Sequence, residues 1–285
     1  MKDNETIENL MNEFCHDRTS GSLNLLEKAL TILIKICENG INTDEMVRAM
    51  LSLMRKCHGD MSIITNAAAE AEELISRFED NDYPEKLIEY AKGEMERITK
   101  SFQATGDAVA SIIKREIRAG TISRSQTVLR VLASLHEKGL LKNVVISESR
   151  PMREGVKMAL EMWENGISVT IVADAAMDAM LENVDLCIIG ADSVDESGNV
   201  RNKIGSRSLA LSCRNRKIPF VVVCQQGKVT NSLPGSREQH DRNELVYEDL
   251  PENIEVSNFY FENVERDLID FIVIGDRIVG KGETL

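Results

Sequence analysis

The strongest constraint on the fold is a rhythm that begins after Gly120. Short apolar runs recur at residues 144–147, 169–173, 186–189, 220–224 and 271–274, most of them rich in Val and Ile. Runs this short, almost unbroken by polar residues, read as strands buried on both faces. Stretches with helical spacing, at 153–164, 175–182 and 203–216, separate the first four. That alternation predicts βαβ units, right-handed crossovers and a parallel sheet.

Residues 5–118 have a different period. Leu23, Leu26, Leu30, Leu33, Ile34 and Cys37 recur mostly at steps of three and four, with Ser20 or Ser22 as the cap of that helix and Gly40 as its end. A second helix is expected over 65–78. A third starts at Pro84, a favourable first-turn residue, and carries Leu87, Ala91, Met95, Ile98 and Phe102 on one face. Gly106 is expected to break it before Val109, Ile112 and Ile113 resume the stripe. The fold class is therefore α/β, with a helical domain over 1–118 and a mainly parallel sheet domain over 119–285.

Ligands of such sheets bind beyond the carboxyl ends of the strands. The first run ends in Glu148-Ser149-Arg150-Pro151. Arg150 is placed either to clamp a phosphate or carboxylate with its planar guanidinium, or to pair with Glu148 or Glu154 at the surface. The second ends in Asp174, which can cap the next helix or face a ligand. The third ends in Gly190-Ala191-Asp192-Ser193. Asp192 can serve as a general acid or base, hold a sugar hydroxyl, or form a turn. A polar turn over 195–199 follows, and then Arg201-Asn202-Lys203-Ile204-Gly205-Ser206 is expected to open a helix. A helix amino terminus offers free N–H groups to an anion, Lys203 adds a charge and Asn202 an amide. These loops together predict an anion-binding, sugar-phosphate pocket.

Other classes are excluded by what is missing. There is no G-x-x-x-x-G-K-[ST] and no G-x-G-x-x-G, against a P-loop or a standard dinucleotide enzyme. The four histidines lie away from the strand ends, and no Cys/His group has zinc spacing, so neither a cofactor nor a metal is expected. The net charge of −13 argues against a nucleic-acid partner. No apolar run approaches the ~20 residues of a membrane span. The acidic start carries no signal-peptide pattern, and the six cysteines form no C-x-x-C pair, so a reducing cytoplasm is the expected setting.

Taken in order, S-E-S-R-P, G-I-S-V-T-I-V-A-D, D-L-C-I-I-G-A-D-S-V, G-N-V-R-N-K-I-G-S and I-P-F-V-V-V between Ile146 and Val223 resemble the alpha, beta and delta regulatory subunits of translation initiation factor 2B. That superfamily also holds methylthioribose-1-phosphate isomerase and archaeal ribose-1,5-bisphosphate isomerase. The runs 127–132 and 268–274 are similar to the factor subunits, and 17–22 resembles the family's phosphate-contacting turn. The resemblance implies a helical domain on a Rossmann-like domain, a sugar-phosphate pocket between them, and a homodimer or higher homo-oligomer. It implies phosphate or sugar contacts for Arg18, Ser20, Gly21, Arg150, Asn202 and Lys203, and matches Asp192 to the isomerases' catalytic aspartate. The isomerases carry their catalytic cysteine in a T-H-C-x-S loop. Here the matching stretch, 120–127, has Ser123 nearest that position. A hydroxyl is a far weaker acid and nucleophile than a thiol unless a base activates it.

Three readings follow. The first is a non-catalytic, initiation-factor-2B-like subunit that binds a phosphorylated sugar or nucleotide, with translation initiation factor 2 subunits as candidate partners. The alternative is an aldose–ketose sugar-phosphate isomerase working through Asp192. The third is a structural oligomer with a vestigial pocket.

Overall fold

A computed structural model describes residues 2–17, 20–78, 82–235, 238–251 and 253–285. The chain divides into two compact units: residues 1–100 with 227–229, and residues 101–226 with 230–285.

The first unit is built from α1 (Lys2–His16), α2 (Ser22–Asn39), α3 (Thr43–Cys57), α4 (Ser62–Ile75) and the greater part of α5 (Pro84–Ile112). The leucine spacing of α2 turns Leu26, Leu30 and Leu33 inward, where they are fully buried with Leu25 and Ile36. Gly40 ends α2 with φ 70°, the left-handed cap expected of it. The start differs from expectation. Gly21 is the cap residue and no side chain bonds there, because the Ser20 hydroxyl is donated to Asp17 Oδ2 at 2.7 Å. Residues 227–229 join this unit through Asn66, whose amide donates to the carbonyls of Gly227 and Val229. Cys15 and Cys57 form a disulfide between α1 and α3, their Cα atoms 5.2 Å apart. The absence of a C-x-x-C pair gave no sign of this bond. The pair is set by packing of two helices 42 residues apart in sequence, which no short-range motif reports.

The second unit contains a seven-stranded sheet in the order β11-β10-β7-β4-β1-β2-β3. Its strands are β1 (Ile117–Thr121), β2 (Leu141–Ser147), β3 (Val169–Val172), β4 (Leu186–Ile189), β7 (Phe220–Cys224), β10 (Phe271–Ile274) and β11 (Arg277–Gly280). Every pairing is parallel except β10 with β11. Helices α6 (Gln126–Glu137), α7 (Glu154–Glu164), α8 (Met177–Met180) and α9 (Ser206–Arg216) connect them. Val131, Leu132, Met158 and Met162 of α6 and α7 pack on Val144, Ile146 and Ile188 of the sheet. β7 is fully buried, as its unbroken F-V-V-V-C run requires.

Two elements escape the apolar-run signal. β1 reads Ile-Arg-Ala-Gly-Thr, yet it is the inner strand between β4 and β2. Its small residues have a steric cause: a Cβ on Gly120 would stand 2.7 Å from Cys187 Sγ and 3.3 Å from Val184. The other is a second sheet, ordered β8-β5-β6-β9, made of β8 (Val229–Thr230), β5 (Ser193–Asp195), β6 (Val200–Lys203) and β9 (Phe261–Val264). Lys203 therefore ends a strand and does not open a helix; α9 starts at Ser206. Nor does Gly106 break α5. It sits where α6 crosses, and a Cβ there would meet Ser134 Oγ at 2.9 Å.

Candidate functional site at the strand ends

The carboxyl ends of β1, β2 and β4 and the hairpin β5–β6 lie within the second unit. Ser123 follows β1 with φ 61°, buried, and its N–H donates to Ser149 Oγ at 2.7 Å. Ser149 follows β2, also left-handed at φ 62°. Asp174, after β3, does not cap a helix. Its carboxylate accepts the N–H groups of Ser149 and Arg150, both at 2.8 Å, and so fixes the β2 exit loop. Arg150 aims its guanidinium at two backbone carbonyls, Glu244 at 2.9 Å and Leu245 at 3.1 Å, and at neither Glu148 nor Glu154.

Asp192 follows β4. In the parallel register Gly120 faces Cys187, and counting on three residues brings Ser123 level with Gly190. The β1 exit loop does press on that glycine: a Cβ on Gly190 would lie 2.6 Å from Ser125 Oγ. Ser123 and Asp192 thus leave neighbouring strands at the same edge of the sheet. Asp192 is half-buried, and among the described residues no donor is assigned to its carboxylate.

The hairpin adds the remaining groups. Ser193 pairs with Arg201, and Asp192 N–H donates to the Arg201 carbonyl at 2.8 Å, which puts Asp192 opposite Asn202. Asn202 pairs in turn with Glu262 of β9. Asn202 and Glu262 are opposite on antiparallel strands and share a face, and Asp192 immediately precedes the neighbouring strand β5. Asn202 is buried and donates to Ser206 Oγ at 2.8 Å. Lys203 Nζ meets Glu154 Oε1 at 3.1 Å and lies over the rings of Tyr260 and Phe261 at 4.6 and 4.5 Å. Burial and the Glu244 carboxylate hold the Tyr260 phenol well above its ordinary pKa, so it stays neutral under the ammonium.

The amino terminus of α9, expected to offer free N–H groups, is filled by the chain itself. Glu262 Oε1 accepts from Gly205 N at 2.7 Å and from Arg207 N at 2.9 Å. Nothing in the sequence linked Glu262 to this helix. The single signal was an acidic residue in a polar strand 56 residues beyond the helix start.

A cavity of about 560 Å³ lies at the strand ends, lined by Ile122, Met177, Leu209 and Phe259 and by the charged groups Arg150, Asp174 and Asp178; Asp192, Asn202 and Lys203 are not among its lining residues. Its size is that of small-molecule sites. Among the described residues no His/Cys/Asp/Glu group has the arrangement of a metal centre. In the first unit, Ser20 donates N–H and O–H to the Asp17 carboxylate, which Lys28 also reaches. Gly21 precedes α2, and Arg18 lies outside the described residues.

The profile of the Initiation factor 2 subunit family matches residues 6–276. The chain belongs to that family. Among its relatives within this Initiation factor 2 subunit group, ribose 1,5-bisphosphate isomerase of Archaeoglobus fulgidus is 30% identical over 174 residues, 58% of this chain and 56% of that protein. Methylthioribose-1-phosphate isomerase of Vitis vinifera is 31% identical over 193 residues, 62% of this chain and 50% of that protein. The chain thus spans only about half the length of these curated relatives. Among solved structures, the translation initiation factor eIF-2B of Pyrococcus horikoshii superposes with a TM-score of 0.79 over 99% of this chain and 97% of that one, at 21% identity. That likeness establishes the family's fold: a helical part followed by a mainly parallel sheet. Among the described residues no helix is long and apolar enough to cross a membrane.

Proposed function

We propose that this chain is an aldose–ketose isomerase of phosphorylated sugars, with Asp192 as the group that moves the proton. The supporting observation is the carboxylate of Asp192, without an assigned donor at the exit of β4, on the edge where Ser123 leaves β1. The named isomerase relatives favour this reading over the regulatory one. In the reaction the phosphate stays on O1, the C1–O4 ring bond breaks, and a proton leaves C2 and arrives at C1. The C2 hydroxyl loses its proton to become the ketone as O4 gains one, so the exchange balances without an external donor. Asp192 takes the C2 proton and returns it to C1, and the Ser123 hydroxyl relays the oxygen-bound proton. One phosphate is held by Lys203, which gives up Glu154 for it, and by Asn202. Arg150 orders the wall of the site. The working protein is a homo-oligomer.

The test is incubation with ribose 1-phosphate, ribose 1,5-bisphosphate and methylthioribose 1-phosphate, following the ketose product. Slow formation is expected, abolished by Asp192→Asn and accelerated at least tenfold by Ser123→Cys, because a thiol is the stronger acid and nucleophile. Product at the same rate with Asp192→Asn would sink the assignment.

A second reading is favoured by Ser123 standing where the isomerases' thiol is expected: a non-catalytic regulatory subunit that binds a sugar phosphate or nucleotide and contacts translation initiation factor 2. Absence of ketose from all three sugars, with Ser123→Cys equally inert, would select it.

A further inference from the structure

Among the described residues, three places carry the chemistry of anion binding, and each already holds a carboxylate of the chain. Asp17 sits in the Ser20–Lys28 turn, Glu154 sits on Lys203, and Glu262 sits on the first N–H groups of α9. They differ in how easily they are vacated. Lys203 and Glu154 are a side-chain pair, one quarter and one fifth exposed, and a phosphate can replace the glutamate by rotation of two flexible chains. Glu262 is fixed. Its backbone is locked in β9 opposite Asn202, and a single oxygen accepts from Gly205 and Arg207 together. Arg207, in the first turn of α9, is engaged by Glu265 at 2.9 Å. Arg150 is engaged by two carbonyls. The cavity beside α9 mixes Ile122, Leu209 and Phe259 with Arg150, Asp174 and Asp178 in its walls.

We propose that Glu262 is a built-in occupant of the α9 amino terminus and makes this site selective for sugars carrying one phosphate. The carboxylate satisfies the helix dipole and two N–H donors that would otherwise attract a second phosphate. It also repels any dianion brought near Asn202, one strand away. A bisphosphorylated sugar therefore has one end without an anchor and facing a fixed negative charge. A monophosphate puts its phosphate on Lys203 and brings no second phosphate to be held. This inference rests on the sugar-phosphate reading above.

The experiment compares the wild type with Glu262→Gln and Glu262→Ala. Glu262→Gln keeps an acceptor for both N–H groups while removing the charge, so the fold is retained, as circular dichroism checks. Inorganic phosphate, titrated by calorimetry, tests Glu262 without any sugar. The expected result is one phosphate per wild-type chain and an added equivalent, or at least tenfold tighter uptake, in the variants. Ribose 1-phosphate and ribose 1,5-bisphosphate are then compared. The wild type is expected to hold the bisphosphate no better than the monophosphate, and the variants to gain about tenfold on the bisphosphate alone. Unchanged phosphate uptake in both variants would overturn the proposal. So would a wild type that strongly prefers the bisphosphate. Failure of every protein to bind either sugar, with phosphate uptake still gained on removing Glu262, would overturn the sugar reading and leave the role of Glu262 standing.

Discussion

Lys203 Nζ and Glu154 Oε1 lie 3.1 Å apart, an ion pair between the end of β6 and the first turn of α7. The lysine that the sequence marks as a phosphate ligand is thus already neutralised. Any phosphate must compete with Glu154. Removing that competitor, as in Glu154→Gln, is expected to tighten ribose 1-phosphate binding on the order of fivefold, equivalent to about 1 kcal/mol for a partly exposed pair. Lys203→Met is expected to abolish it. Calorimetry at low and at 0.5 M salt checks both, and the gain should shrink as salt screens the pair.

The disulfide gives a second prediction. Cys15–Cys57 closes a loop of 42 residues around α2. Chain-entropy arguments assign such a crosslink about 4 kcal/mol of stability. Dithiothreitol should lower the Tm of the wild type by several degrees and leave Cys57→Ser unaffected. An equal Tm with and without reductant in the wild type would refute it.

Glu94 gives a third. Burial drives its carboxyl pKa above the ordinary 4.5, and neighbouring Arg97 offsets this only in part. The folded chain then binds a proton that the unfolded chain releases. Folding is favoured by this group as pH falls toward 4.5 and penalised once pH exceeds its raised folded value. Glu94→Gln should therefore raise Tm at pH 7 and change it little at pH 4. A lower Tm at pH 7 would mean that the Arg97 contact outweighs desolvation.

How much was legible beforehand varied with the range of the interaction. The five apolar runs are five strands of the main sheet, but only four are the buried strands expected of them; β3 is an edge strand and exposes Thr170 and Ile171, which its short run did not reveal. Gly40 ends α2 as expected, because only the local backbone decides a left-handed cap. β1 was hidden because its small residues are an adaptation to Cys187 and Val184, distant in sequence. Asp174, read from its neighbours as a cap or a ligand contact, instead holds a loop 24 residues earlier.

The sequence by itself determined the helical first part, the parallel sheet and the strand ends at which Arg150 and Asp192 would stand, whereas Asn202 and Lys203 were expected at a helix start and stand in β6. Tertiary structure decided what those residues meet. Glu154 meets Lys203, backbone carbonyls meet Arg150, and Glu262 stands opposite Asn202 and fills the start of α9. The reason is physical. Periodic burial is written into short windows of sequence, whereas the partner of a charge is whichever opposite group the folded chain brings within about 3 Å.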